Sequence, residues 1–339
     1  MKRVSFFLAL VMAFLLILTP VVGCGQKANT LTESSTTTTT IPPTEQPNQS
    51  TQPTTTKSPP ETTSPSTTTT TTVPPQTTPP TTTTTTSFVP IVWSAMGVPV
   101  TLTVNEASNR ATYLSGSTDI SGYFYKPQGG GPFPAVVVLH GKSGLNETTR
   151  AYAAWLATKG YVAFAPDYFA PIGMAAGVWA GSDYGKHQER IRTDLGQAIE
   201  AMKSVSYIKT DCIGVVGFSL GGYFSFWLGT RDDVKAVISY YGAYAPTVIA
   251  KYAGYGIIDI VAQMKSPVLM FHGDQDTWVP IDHANTTADL LKSNNKQYEY
   301  IIYPGAEHAF GPQYTSGPNA AANTDSQQKA LVFLEAKLK

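Results

Sequence analysis

Ala135–Leu139 (AVVVL) is a run without a single polar side chain, and it ends in His140-Gly141. A run this short, apolar on both of its faces, fits a strand buried on both sides of a parallel sheet. The chain after it keeps alternating such runs with segments of helix length. The spacing predicts a helix over Asn146–Lys159, with Tyr152, Trp155 and Leu156 on one face and Gly160 closing it. Tyr161–Ala165 reads as the next strand, and His187–Val205 as a longer helix carrying Ile191, Leu195, Ile199 and Met202. Strand Ile213–Val216 runs into Gly217-Phe218-Ser219-Leu220-Gly221-Gly222, with a helix from Leu220 to about Thr230. Val234–Tyr240, Val268–His272 and Tyr298–Tyr303 read as strands, and Ile281–Ser293 and Ser326–Leu338 as helices. Residues before Gly131, Gly122–Lys126 among them, read as antiparallel edge strands. The expected fold is α/β: a mostly parallel, doubly wound sheet flanked by helices, with its ligand site at the carboxyl ends of the strands.

This alternation occupies only part of the 339 residues. Between Ala28 and Ser87 the aliphatic or aromatic residues are Ala28, Leu31, Ile41 and Val73, whereas all 18 Tyr and all 5 Trp come later. The 58 residues from Thr30 to Ser87 include 28 Thr and 11 Pro. With so little apolar area to bury, ordering this stretch has nothing to offset its conformational entropy, so a disordered stalk is expected. Its prolines favour extended conformations, giving a reach of at most ~180 Å at about 3.1 Å per residue. Ahead of it, Lys2 and Arg3 precede the apolar run Val4–Leu18 and then Pro20-Val21-Val22-Gly23-Cys24. A basic head, a short apolar run and a small residue before a cleavage point describe a signal peptide. Val21–Cys24 also resembles the bacterial lipobox, in which the Cys is lipidated after cleavage. The alternative is an uncleaved anchor, since Val4–Gly23 is just long enough to span a bilayer. The expected organisation is thus a lipoprotein signal peptide over 1–23, a Thr/Pro-rich stalk over 24–87 and a globular domain over 88–339. That domain is expected outside the cytoplasmic membrane, held by a lipid on Cys24.

Charge excludes one class of partner. Lys and Arg number 23, as do Asp and Glu, and no basic run stands out. A nucleic-acid binder needs clustered cations to displace counterions. Two cysteines make no disulfide scaffold, and neither CxxC nor HExxH occurs, so no metal and no cofactor is expected.

The chemistry concentrates at the strand ends. Gly217-x-Ser219-x-Gly221 is weak as a bare string, but here an apolar strand precedes it and a helix-forming run follows. A turn that tight needs glycine at both flanks, and it holds the Ser219 hydroxyl above the sheet at the positive end of the following helix. A serine hydroxyl is inert at neutral pH until a base takes its proton. Of the five histidines, His140 is placed to fix its loop, His272 to pack or bond locally, and His187 and His283 lie on helices. His308 follows the last strand, where the base must lie if the order is Ser, acid, His. The acid should follow the penultimate strand, where Asp274 and Asp276 both qualify.

With these stretches the domain resembles the dienelactone hydrolase family of α/β-hydrolases, from about Tyr123 to Leu338. The matching segments are Pro134–Gly141, Gly144-Leu145-Asn146, Gly160–Ala163, Ala165-Pro166-Asp167, the Ser219 turn, Tyr240-Tyr241-Gly242, Gly273-x-x-Asp276-x-x-Val279-Pro280 and Tyr303–Phe310. The resemblance selects Asp276 over Asp274, and implies an α/β-hydrolase fold with Ser219 as nucleophile, His308 as base and Asp276 as its orienter. It also implies an oxyanion hole from the backbone N–H groups of Leu220 and Lys142. The Lys142 side chain is then left to solvent or to an anionic group of the substrate. Members that open dienelactones carry Cys at the nucleophile, Glu beside the oxyanion loop and Arg four residues after the His. Here those positions hold Ser219, Gly141 and Pro312, which points away from dienelactone itself.

Aromatic residues in the loops Tyr168–Gly185 and Tyr244–Ile258, together with Trp278, are candidate pocket walls. Tyr168, Trp179 and Trp278 are the candidate substrate contacts. The expected function is a carboxylic ester hydrolase working through an acyl-enzyme on small-molecule or polymer esters. The alternatives are a peptidase or acyl-peptide hydrolase on the same scaffold, and a non-catalytic surface binding module. Three chemically matched residues in the right order weigh against the module.

Overall fold

The computed structural model describes residues 91–93, 99–174, 181–242, 244 and 256–339. In chain order the strands are β1 (Thr103–Asn105), β2 (Arg110–Ser115), β3 (Thr118–Tyr125), β4 (Phe133–Leu139), β5 (Val162–Pro166), β6 (Ile208–Phe218), β7 (Val234–Tyr240), β8 (Val268–Gly273) and β9 (Tyr298–Tyr303). The helices are α1 (Glu147–Thr158), α2 (Gly181–Lys203), α3 (Leu220–Leu228), α4 (Ile257–Gln263), α5 (Ile281–Ser293) and α6 (Gly317–Leu338).

All these strands join one sheet in the order β1-β2-β3-β5-β4-β6-β7-β8-β9. From β5 through β9 every pairing is parallel, while β1, β2 and β3 add to the β5 edge antiparallel to their neighbours. The chain leaves β4 toward β5 on one side, then returns to β6 and proceeds across to β9 on the other. Between β4 and β6 the order therefore reverses, and the loops after these two strands part to leave a crevice where ligands of open α/β sheets bind.

The pleat explains the double layer. Ala135, Val137 and Leu139 of β4 face one apolar cluster with side chains of α2, α3, α4 and α5. Val136 and Val138 face the opposite cluster with Tyr152, Ala153 and Leu156 of α1 and Phe333, Leu334 and Leu338 of α6. Because both faces are covered, the strand runs need no polar alternation. Helix α3 is buried along its whole length, which fits a sequence (LGGYFSFWL) with no charged residue.

Local signals set the other boundaries. The Asn146 side chain caps α1 by accepting the Thr149 N–H at 3.1 Å, and Gly160 turns the chain at φ 90°. Helix α2 starts six residues earlier than its apolar periodicity implied, and α6 nine residues earlier; Pro318 in the first turn of α6 is the start signal that periodicity does not contain. Strands β1, β2 and β3 are the antiparallel edge strands expected before Gly131, while helix α4 lies outside the elements read from the sequence.

The start and end of the described domain are tied down at the amino ends of the parallel strands. Ile91 N–H donates to Gln263 Oε1 at 2.6 Å and Trp93 Nε1 to Thr230 Oγ1 at 2.8 Å, just before β8 and β7. The Trp93 ring lies between the guanidinium groups of Arg192 and Arg231, at 5.2 and 5.1 Å. Lys339 Nζ donates to the Lys159 carbonyl, just before β5, at 2.9 Å. Among the described residues no helix is long and apolar enough to cross a membrane; Cys24 and the apolar run before it lie outside those residues.

Candidate active site

Ser219 stands between β6 and α3 with φ 53° and ψ −113°, a backbone conformation that costs a non-glycine residue energy and persists only when its surroundings impose it. The surroundings here are glycines. A Cβ on Gly217 would overlap the Gly221 carbonyl, one on Gly221 would come within 2.6 Å of His140 O, and one on Gly222 within 2.5 Å of Ser239 Oγ. The turn can therefore close only with hydrogen at these positions. The Ser219 N–H is held by Tyr240 O at 3.0 Å. The hydroxyl emerges over the crevice at the amino end of α3, where the helix dipole favours negative charge.

His308 lies in the loop after β9. Its Nε2 is 3.1 Å from Ser219 Oγ and its Nδ1 2.6 Å from Asp276 Oδ2. The loop is pinned to α6 by paired bonds: Glu307 N–H donates to Asn319 Oδ1 at 2.7 Å, and Asn319 Nδ2 to Glu307 Oε2 at 3.1 Å. Ala309 turns at φ 58° directly after the imidazole. Asp276, after β8, is buried. Its Oδ1 accepts the backbone N–H groups of Trp278 and Val279 at 2.9 and 2.8 Å, which aims Oδ2 at His308. Burial pushes this carboxyl's pKa upward, but hydrogen bonds from His272, His308 and Val279 outweigh it and hold the group well below the usual carboxylate range. Asp274 is exposed and accepts the Gly305 N–H at 2.7 Å; it ties the two loops together and does not approach the imidazole. The structure thus brings Ser219, Asp276 and His308 into one hydrogen-bonded chain and places Asp274 outside it.

Two further histidines frame the site. His272 Nε2 lies 2.8 Å from Val279 O and 3.3 Å from Asp276 Oδ2, a local contact that also braces the carboxylate. His140, at the end of β4, is fully buried, with Nδ1 2.8 Å from Gly141 O. Burial drives its pKa down to about 4, against weaker upward pulls from the Gly141 carbonyl and Asp167, so the ring is neutral at physiological pH. Tyr168 stacks on it at 3.9 Å between centroids, and its hydroxyl donates to His140 O. This corrects one expected substrate contact. Tyr168 is wholly buried beneath the β4 loop and does not line the cleft, because an aromatic loop residue next to a buried imidazole finds its partner there first.

The cleft over Ser219 has a volume of about 340 Å³, and its lining includes Gly141, Lys142, Thr148, Tyr241, Trp278 and His308. A Cβ on Gly141 would sit 3.2 Å from both Ser219 Cβ and Phe218 O, so a side chain there requires the Ser219 turn to give by a few tenths of an ångström. The N–H groups of Lys142 and Leu220 have no acceptor among the described residues, and both belong to segments bordering Ser219. The Lys142 ammonium lies 3.8 Å above the Trp278 ring, worth about 0.5–1 kcal/mol at such exposure. The side chain expected in solvent or at an anionic group of the substrate thus packs on Trp278 at the cleft wall. Trp278 is 66% exposed and lies roughly parallel to the His308 ring at 6.2 Å, forming one wall of the cleft. Trp179 lies outside the described residues. Tyr241, which sequence reading quoted only as a matching segment, proves to be a wall: it is buried, has φ 39° and places its ring 5.0 Å from that of His308. No sequence signal marks it, because a positive φ at a tyrosine follows only from the sheet around it. Among the described residues no three His, Cys, Asp or Glu side chains converge as a metal site requires.

The arrangement is one in which a hydroxyl can be deprotonated by an imidazole that a buried carboxylate orients, beside two free N–H groups. The model of the dienelactone hydrolase family matches residues 120–338. A Synechocystis protein named "Putative carboxymethylenebutenolidase" is 26% identical over 249 residues, covering 70% of this chain and all of its own length. Among solved structures, a dienelactone hydrolase-like promiscuous phosphotriesterase from metagenomic libraries aligns with TM-score 0.57 and 21% identity, over 71% of this chain and 100% of its own. Pyrococcus horikoshii acylaminoacyl peptidase aligns with TM-score 0.56 and 21% identity, over 71% of this chain and 42% of the peptidase. At these identities the solved structures share the fold.

Proposed function

Because this chain belongs to the dienelactone hydrolase family, a family of hydrolases on a mostly parallel α/β sheet, we propose that it is a serine hydrolase cleaving carboxylic esters through an acyl-enzyme. The observation that carries this reading is the continuous hydrogen-bonded chain from Ser219 Oγ through His308 to Asp276.

In this mechanism His308 Nε2 takes the Ser219 proton as Oγ attacks the ester carbon, and the Asp276 carboxylate stabilises the imidazolium that forms. The tetrahedral oxyanion accepts the N–H groups of Leu220 and Lys142, each worth ~3 kcal/mol of transition-state stabilisation. Collapse breaks the bond to the alcohol oxygen, which leaves with the proton from His308. Water then gives a proton to His308 and attacks the acyl carbon. The second collapse returns that proton to Ser219 Oγ and releases the carboxylic acid. Dienelactone itself fits poorly, since Gly141 supplies no carboxylate beside Ser219 and Pro312 offers no cation to a substrate carboxylate. Lys2-Arg3, the apolar run and Cys24 support a lipid-anchored position outside the cytoplasmic membrane.

Hydrolysis of p-nitrophenyl acetate and butyrate, with fluorophosphonate labelling, tests the chemistry. Both signals are expected in the native chain and neither in Ser219→Ala; a well-folded native protein that shows neither overturns the proposal. Metabolic labelling with palmitate tests the anchor, and a label that survives Cys24→Ala would refute it.

A further inference from the structure

Directly beside the cleft lies a second chamber of about 220 Å³, bounded by α1, α6 and the loop after His308. The two share Thr148, Phe218 and Tyr241. Six aromatic rings wall the chamber: Tyr152, Trp155, Phe218, Tyr240, Tyr241 and Phe310. They pack on one another partly edge to face, with Tyr152–Phe218 at 5.1 Å and 79° and Tyr241–Phe310 at 5.0 Å and 79°, and partly tilted, with Phe218–Tyr240 at 5.0 Å and 31°. The wall is therefore a fixed set of ring edges and faces, the surface an inserted aromatic ring packs against best. Its hydroxyls are mostly committed inward, since Tyr152 Oη and Tyr240 Oη bond each other at 3.1 Å and Tyr240 also reaches Ser326 O at 3.3 Å.

Besides Thr148 on α1, the polar side chains other than tyrosine stand on α6. Asn323 and Gln327 on α6 line this chamber but not the cleft. Gln327 Nε2 donates to Asn323 Oδ1 at 3.2 Å, which leaves Gln327 Oε1 as acceptor and Asn323 Nδ2 as donor without a partner among the described residues. Apolar walls with one half-used amide pair suit a ring that carries a single hydrogen-bonding substituent. Size agrees, because a cavity of ~150 Å³ takes up benzene and this chamber is larger by about the volume of a small substituent.

Thr148, Phe218 and Tyr241 line both the cleft over Ser219 and the chamber, so the acyl group bound to Ser219 Oγ has a path into it. We propose that this chamber is the acyl subsite, and that the preferred substrates are esters of hydroxylated aryl carboxylic acids, the 4-hydroxybenzoyl type. The inference rests on the serine esterase reading and adds the substrate class to it.

The test pairs catalysis with direct binding. The 4-hydroxybenzoate ester of p-nitrophenol is expected to exceed the acetate in kcat/KM, and calorimetry is expected to detect 4-hydroxybenzoate binding to Ser219→Ala. Ala151 borders the chamber from the exposed side of α1, so Ala151→Trp fills it from outside the core. That variant is expected to lower the hydroxybenzoate-to-acetate ratio at least about tenfold, the scale on which a pocket discriminates by volume. Gln327→Leu is expected to erase the preference for 4-hydroxybenzoate over benzoate. An unchanged ratio in Ala151→Trp, or no binding by Ser219→Ala, overturns the acyl subsite even if fluorophosphonate labels Ser219. Failure of labelling and of acetate hydrolysis, by contrast, sinks the esterase reading, and calorimetric binding that survives would then assign the chamber as a ligand site without catalysis.

Discussion

Asp276 carries its charge under burial because four donors point at it, the Trp278 and Val279 N–H groups, His308 and His272, and removing the charge should cost more than the hydrogen bond. In Asp276→Asn the amide holds His308 in the wrong tautomer, so kcat for p-nitrophenyl butyrate is expected to fall by on the order of 10³–10⁴ with KM little changed. The same carboxyl contributes to stability: its folded-state pKa lies below the unfolded value, so its stabilisation is complete above pH ~4 and is lost as pH falls further. His140 acts in a different window. Its pKa drops from 6.5 when unfolded to about 4 when buried, so the unfolded chain binds the extra proton first. Stability present above pH 6.5 is then lost as pH falls from 6.5 to about 4, by up to about 3 kcal/mol. Thermal unfolding followed from pH 7 to pH 4 is expected to show this slope in the native chain and to lose most of it in His140→Phe, which keeps the stack on Tyr168. At this scale Ser219, His308 and the Asp274/Asp276 pair were legible, because each sits where an apolar strand ends. Tyr168 and Tyr241 were not, because which of two aromatic residues faces a cleft depends on partners remote in the chain.

Among the elements, the strands after β5 wrote themselves most clearly. Val234–Tyr240, paired on both sides, and Tyr298–Tyr303, at the β9 edge, have the bounds that the sequence implied. Strands β1 and β2 were legible as antiparallel edge strands but without bounds, since buried and exposed residues mix along them even though Ala111 and Tyr113 of β2 reach the core. Helix α4, seven residues with Asp259 and Gln263 among them, is too short to show a period. The beginnings of α2 and α6 were missed for the opposite reason: the sequences GSDYGK and GPNAAANTD carry no Leu, Ile, Val, Phe or Met for periodicity to detect, although Ala322 is buried. The β6–α3 turn is the element most intolerant of change. Gly217→Ala places a methyl group against the Gly221 carbonyl, where relief requires the helix to shift. A loss of about 3 kcal/mol or more in urea unfolding is expected, with fluorophosphonate labelling abolished even in protein that remains folded. Gly116→Ala, where a Cβ meets nothing within 4 Å but φ is 61°, should cost only the ~1 kcal/mol of a left-handed residue.

Across the whole domain the chemistry sits at the carboxyl ends of the strands and the anchoring of the chain at their amino ends. Trp93 closes this far side through Thr230 and the two arginines. Trp93→Ala is expected to lower stability by about 2–3 kcal/mol, judged by denaturant midpoint, while kcat/KM for p-nitrophenyl acetate stays within a factor of two. A change in turnover there would mean that the two ends of the sheet communicate. Ile91 and Lys339, near the two limits of the described domain, both lie on the rear of the molecule. Coupling the protein to a bead through Lys339 is therefore expected to leave turnover of p-nitrophenyl acetate unchanged, since this residue and Ser219 lie at opposite ends of the parallel strands.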